Sequence, residues 1–118
     1  MTVQECYDKM GGDYNDVIGR LRTDERVAKF LTRVVSDPSF VLLESAFANG
    51  NAEEAFRAAH TIKGVCGNLS LTKMAKSASA LTEALRGAAA IPPEAASLIA
   101  QLRQDFALCA ASIKELSV

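Results

Sequence analysis

Apolar and small residues recur along this chain at spacings of three and four, and glycine, proline or asparagine separates the runs. Ala52, Ala55, Ala59, Ile62, Cys66 and Leu69 form one such seam. Leu71, Met74, Ala78, Leu81 and Leu85 form the next. Ala95, Leu98, Leu102, Phe106, Cys109, Ile113 and Leu116 form the last. A repeat of that period gives a helix one apolar face, and such a face is stable only when packed against other helices. No run alternates apolar and polar β-branched residues, so nothing argues for a strand. Alanine is plentiful, and three prolines and seven glycines are few enough to let long helices persist.

Punctuation divides the chain further. Residues 2–10 and 13–22 read as two short helices parted by Gly11-Gly12, the second with a stripe of Tyr14, Val17, Ile18 and Leu21. Thr23, followed by Asp24 and Glu25, supplies a hydroxyl cap and two acids where the dipole of a third helix favours them. That helix runs to about residue 35, with Val27, Phe30, Leu31 and Val34 on one side. Asp37-Pro38 restarts the chain with proline at a first helical position, and SFVLLESAFANG ends at Gly50. Asn51, with Glu54 three residues on, predicts a capping box for the central helix. Gly87 suits the end of the helix after it, and Pro92-Pro93 opens the last one.

Short connections force neighbouring helices to run antiparallel. The expected fold is therefore all-α: an antiparallel four-helix bundle over residues 23–118, with short additional N-terminal helices over residues 1–22. Those first residues either cover the bundle or form a mobile arm.

Composition excludes several functions. A chain of 118 residues holds one domain with a real core. Thirteen basic against fourteen acidic side chains leave a net charge of −1, with none of the basic footprint that nucleic acid demands. No apolar run approaches the roughly 18 residues of a membrane span. The start MTVQECYDKM lacks a signal pattern. Cys6, Cys66 and Cys109, odd in number and widely spaced, suit reduced thiols in a cytosol. No Gly-rich phosphate loop of the G-x-x-x-x-G-K-[ST] type occurs.

The central helix, AEEAFRAAHTIKGVCGNLS, carries the chain's one histidine, His60, and then two glycines, Gly64 and Gly67. Each helical residue advances about 100°, so both glycines fall beneath His60 on one face, with Lys63 beside it and Asn68 ending the row. Each glycine costs about 1 kcal/mol relative to alanine in a helix interior. What the pair supplies is empty space, either for another protein to approach the imidazole or for close packing of a second helix. A neutral imidazole keeps a nucleophilic nitrogen, and Lys63 puts a cation near any anion placed on it. Zinc needs three or four ligands, and the nearest thiol, Cys66, lies on the buried seam about 120° round from His60. One histidine supports no hydrolytic triad.

The run AHTIKG, continued by VCGNLS, resembles the phosphoacceptor motif of histidine-containing phosphotransfer (HPt) domains, roughly A-H-x-[LI]-K-G and then a further glycine. Ala59, His60, Ile62, Lys63 and Gly64 match it, with Gly67, Asn68 and Leu69 also familiar there. The similarity extends over about residues 27–116. It implies a four-helix bundle whose exposed histidine takes a phosphoryl group from a receiver-domain phospho-aspartate and passes it to another receiver. His60 would be the acceptor, Lys63 the charge stabiliser, and Gly64 and Gly67 the access. The partners implied are receiver domains of response regulators or hybrid histidine kinases. The chain is then a carrier rather than an enzyme. It has no cofactor or metal of its own, because the receiver supplies Mg²⁺. A cytoplasmic monomer is expected, with no nucleic acid or membrane partner.

Partner-binding residues would include Asn68; Phe56, which reads equally as a core aromatic; and Lys73 and Lys76, a basic rim or a solvated face. Two residues depart from the family pattern. Ser70 stands where glycine is common, so a different turn is expected, with Ser70 capping the next helix. Thr82 stands where glutamate is frequent, beside Glu83. The rival reading is a non-catalytic helical module that binds receivers without carrying phosphate.

Overall fold

The computed structural model describes residues 1–117, and among these it contains seven helices and no strand. They are α1 (Val3–Met10), α2 (Tyr14–Leu21), α3 (Asp24–Val35), α4 (Ser39–Ala48), α5 (Ala52–Asn68), α6 (Thr72–Leu85) and α7 (Ala95–Lys114). Helices α4 to α7 form a four-helix bundle over residues 39–114 rather than 23–118: α5 packs between α4 and α6, and α6 against α7. Stacked Phe40 and Phe106, with ring centroids 3.8 Å apart, join α4 to α7 and close the square. The molecule measures 43 × 22 × 20 Å, an elongated bundle with its seams facing inward. Among the described residues, no helix is long and apolar enough to cross a membrane.

Local chemistry sets the helix ends. Thr23 accepts a hydrogen bond from the Arg26 amide, as its position predicts. Asn51 accepts from the Glu54 amide, but the return half of the expected capping box is replaced, because the Glu54 carboxylate binds Arg57. A complete box forms instead between Thr2 and Glu5 at α1. Pro38 sits one position earlier than predicted, at the N-cap of α4, where the Asp37 carboxylate accepts from the Ser39 amide. Gly50 adopts φ +66° after α4, and the Asn51 amide reaches back to the Ala46 carbonyl, a Schellman closure.

The seams of α5 and α6 are buried at every position named above. On α7 the core stripe differs. Ile99 and Asp105 are buried, whereas Leu98 and Phe106 pack only partly. Asp105 is tolerated at 3% exposure because Ser77, Gln101 and Lys73 all reach its carboxylate. Residues 1–22 cover the bundle: Val3, Cys6 and Tyr7 are fully buried, and α1 lies on α7. Its far end reaches the turn between α5 and α6, where the Tyr7 hydroxyl donates to the Leu69 carbonyl at 2.7 Å.

That turn corrects one expectation. Ser70 does adopt a positive φ, +55°, rather than avoiding it. The Leu71 amide donates to the Cys66 carbonyl at 2.9 Å and the Ser70 amide to the Gly67 carbonyl at 3.2 Å, a Schellman motif with serine in glycine's place. Nor does Ser70 cap α6, whose N-cap residue is Leu71 with no side-chain bond. The hydroxyl turns instead to Asp16 and Arg20 on α2.

Candidate functional site

His60 is the ninth of the seventeen residues of α5, one step off a seam on which Ala59 is fully buried. The imidazole is therefore carried to the surface, and His60 is exposed. Gly64 and Gly67 are exposed as well, and a Cβ built on either meets nothing within 4 Å. Close helix packing is thus not their purpose; the space beside His60 is open. Lys63 is half-buried on the same side of the helix and forms no ion pair among the described residues.

Phe56, one turn before the histidine, is half-buried and meets the His60 ring edge-on, with centroids 5.9 Å apart at 82°. Its ring packs against the core and also walls the imidazole. The Arg86 guanidinium, from the end of α6, lies 5.2 Å from the centre of the same ring. Arg86 also binds Glu83 through two nitrogens. Those bonds first of all, and Lys63 least, hold the Glu83 carboxyl below its ordinary range. Glu83 is therefore ionised and engaged by Arg86, which leaves Lys63 as the unpaired cation on the histidine's helix among the described residues.

The other residues singled out in the sequence divide. Asn68 is exposed at the end of α5, and with Leu21, Phe30, Arg33 and Val65 it lines a shallow apolar groove of about 260 Å³. Lys73 and Lys76 line a different groove, between α6 and α7, where Lys73 pairs with Asp105 at 3.7 Å. His60 does not line that groove. The fully buried Thr82 donates its hydroxyl to the Ala78 carbonyl at 2.7 Å, which satisfies it inside α6 without an acid. Arg86 was missed by sequence reasoning, since only the packing of α6 on α5 puts it over Phe56.

Chemically, the arrangement is a solvent-facing nucleophile with an aromatic wall on one side, bare backbone on another, and cations nearby. Among the described residues no group of three or more His, Cys, Asp or Glu side chains is placed to hold a metal ion. The family model described as Hpt domain matches residues 36–111, a span running from the end of α3 through most of α7 and containing His60, Phe56, Lys63, Gly64, Gly67, Glu83 and Arg86. Neither the curated proteins nor the solved structures gave a match.

Proposed function

The chain belongs to the Hpt domain family, and on that premise we propose that it is a phosphorelay carrier loaded on His60 by a receiver domain. Hpt domains are phosphotransfer carriers rather than classical enzymes. The observation that carries the residue-level reading is the exposed imidazole above two glycines whose side-chain space is empty.

The Nε2 lone pair of His60 attacks the phosphorus of the receiver's phospho-aspartate. The N–P bond forms as the P–O bond to the aspartate breaks, and the carboxylate leaves with the bonding pair. The imidazole keeps its proton on Nδ1, and transfer to a second receiver reverses these steps. Lys63 offsets the charge of the incoming phosphoryl group, a term that strengthens once docking excludes water. The receiver brings the Mg²⁺ and the orienting residues, so most of the acceleration comes from positioning. Phe56 and Asn68 border the docking face, and the carrier works as a monomer in the cytoplasm.

The test is incubation with phosphorylated receivers. Wild type gains a label stable to base and labile to acid, and His60→Gln gains none. No label on wild type from several competent receivers would overturn the carrier reading and favour a module that binds without carrying phosphate.

A further inference from the structure

The acceptor helix has a weak end. Two of its last five residues are glycine, the poorest helix former after proline, and its last turn carries no basic residue to complement the dipole. Its closing residue, Ser70, is a serine at φ +55°. Helix α2 brings the missing groups from outside. Arg20 donates to the carbonyl of Asn68, the last residue of α5, at 2.7 Å. The same guanidinium binds the Ser70 hydroxyl, and Asp16 at 3.1 Å. Ser70 in turn donates to Asp16. Ser70 is 6% exposed, so this ring of three side chains closes over the turn. Backbone bonds flank it: the Asp13 amide donates to the Ser70 carbonyl at 2.8 Å and the Lys73 amide to the Gly11 carbonyl at 3.1 Å.

We propose that Arg20 is a positioning residue for the acceptor: it supplies in trans the cation and cap that α5 lacks, and so holds the glycine-rich half of the helix in register behind His60. The serine fits this role. A glycine at position 70 would form the turn with less strain, but it would offer no hydroxyl to Asp16 and Arg20. Residues 1–22 thereby act on His60 from the far end of its helix. The clamp rests on the carrier reading of His60 for its purpose, though not for its existence.

Full-length Arg20→Ala, Arg20→Lys and Ser70→Gly variants test it by two independent readouts. Hydrogen exchange at the amides of residues 69–71 should quicken by about tenfold in Arg20→Ala, with the amides of α7 unchanged, as expected for loss of one charged hydrogen bond at a helix end. Ser70→Gly should quicken the same amides less, and Arg20→Lys should recover part of the protection. In loading from a phosphorylated receiver, Arg20→Ala should lower the rate at saturation several-fold and leave KM unchanged. Unaltered exchange at residues 69–71 would overturn the clamp. A raised KM at an unchanged saturated rate would overturn it too, by showing that Arg20 touches the partner directly. If wild type takes no phosphate, the carrier reading falls, and exchange alone still decides whether the clamp exists.

Discussion

What makes position 60 usable is what its neighbours lack. An imidazole on a helix of ordinary composition would be hedged by side chains at i+4 and i+7, and here both are hydrogen atoms. The glycines sit in regular helix where a Cβ would meet nothing within 4 Å, so their cost in helix propensity has no packing return. Gly64→Leu and Gly67→Leu should therefore fold normally, with stability raised by up to about 1 kcal/mol in urea titration. Loading of His60 by a receiver should slow sharply in both. Unchanged transfer rates in these variants would show that clearance is not what the glycines provide.

Among the elements, α1 and α2 depend on one close approach. At Gly12 a Cβ would lie 2.7 Å from the Tyr7 ring and 2.9 Å from the Ser70 carbonyl oxygen. Tyr7 has no room to yield, being fully buried and bonded to the Leu69 carbonyl. Gly12→Ala should destabilise the fold by about 1–3 kcal/mol in urea titration, the usual range for a forced contact in a packed region. A wild-type midpoint would mean that the corner of α1 and α2 shifts freely against the bundle. The same corner shows what a sequence discloses. Gly11-Gly12 could be read as a break, because two glycines interrupt any helix. That the second lies against the acceptor helix's own turn depends on contacts between residues about sixty apart, which no local pattern encodes. The seams of α5 and α6 were legible because periodicity alone sorts inside from outside. The α7 seam was misread at Asp105, since a pattern of apolar residues steps over a charge; only Ser77, Gln101 and Lys73 on two helices make its burial tolerable. The site divides likewise. His60, Lys63 and both glycines were legible from their spacing on one helix, whereas Arg86 and the diversion of Lys73 to α7 follow from how α6 packs.

At the scale of the whole molecule, buried thiols and surface carboxylates bound the pH range in which the bundle holds. Cys6, Cys66 and Cys109 lie in α1, α5 and α7, each at most 1% exposed. Burial foremost pushes their thiols up from 9.0 to about 11, 12 and 12 respectively. Burial also raises the Tyr7 hydroxyl. A group raised on folding contributes stability that is full below its unfolded pKa and is lost as pH rises toward the folded one. The alkaline loss therefore begins near pH 9. Glu44 works the other way: a hydrogen bond from Arg103 holds its carboxyl below 4.5. Asp16 is lowered likewise, chiefly by Ser70. Their contribution is present above the unfolded carboxylate range, about 4 to 4.5, and is lost as pH falls through the folded values. Urea midpoints measured across pH should thus be flat from about pH 5 to 8 and fall on both sides. A thiol reagent at pH 8 should label the native protein only as fast as the fold opens, and all three cysteines at once in urea. Rapid labelling of Cys6 alone would separate α1 from the bundle as an independently opening piece, and with it the support that residues 1–22 lend to the end of the acceptor helix.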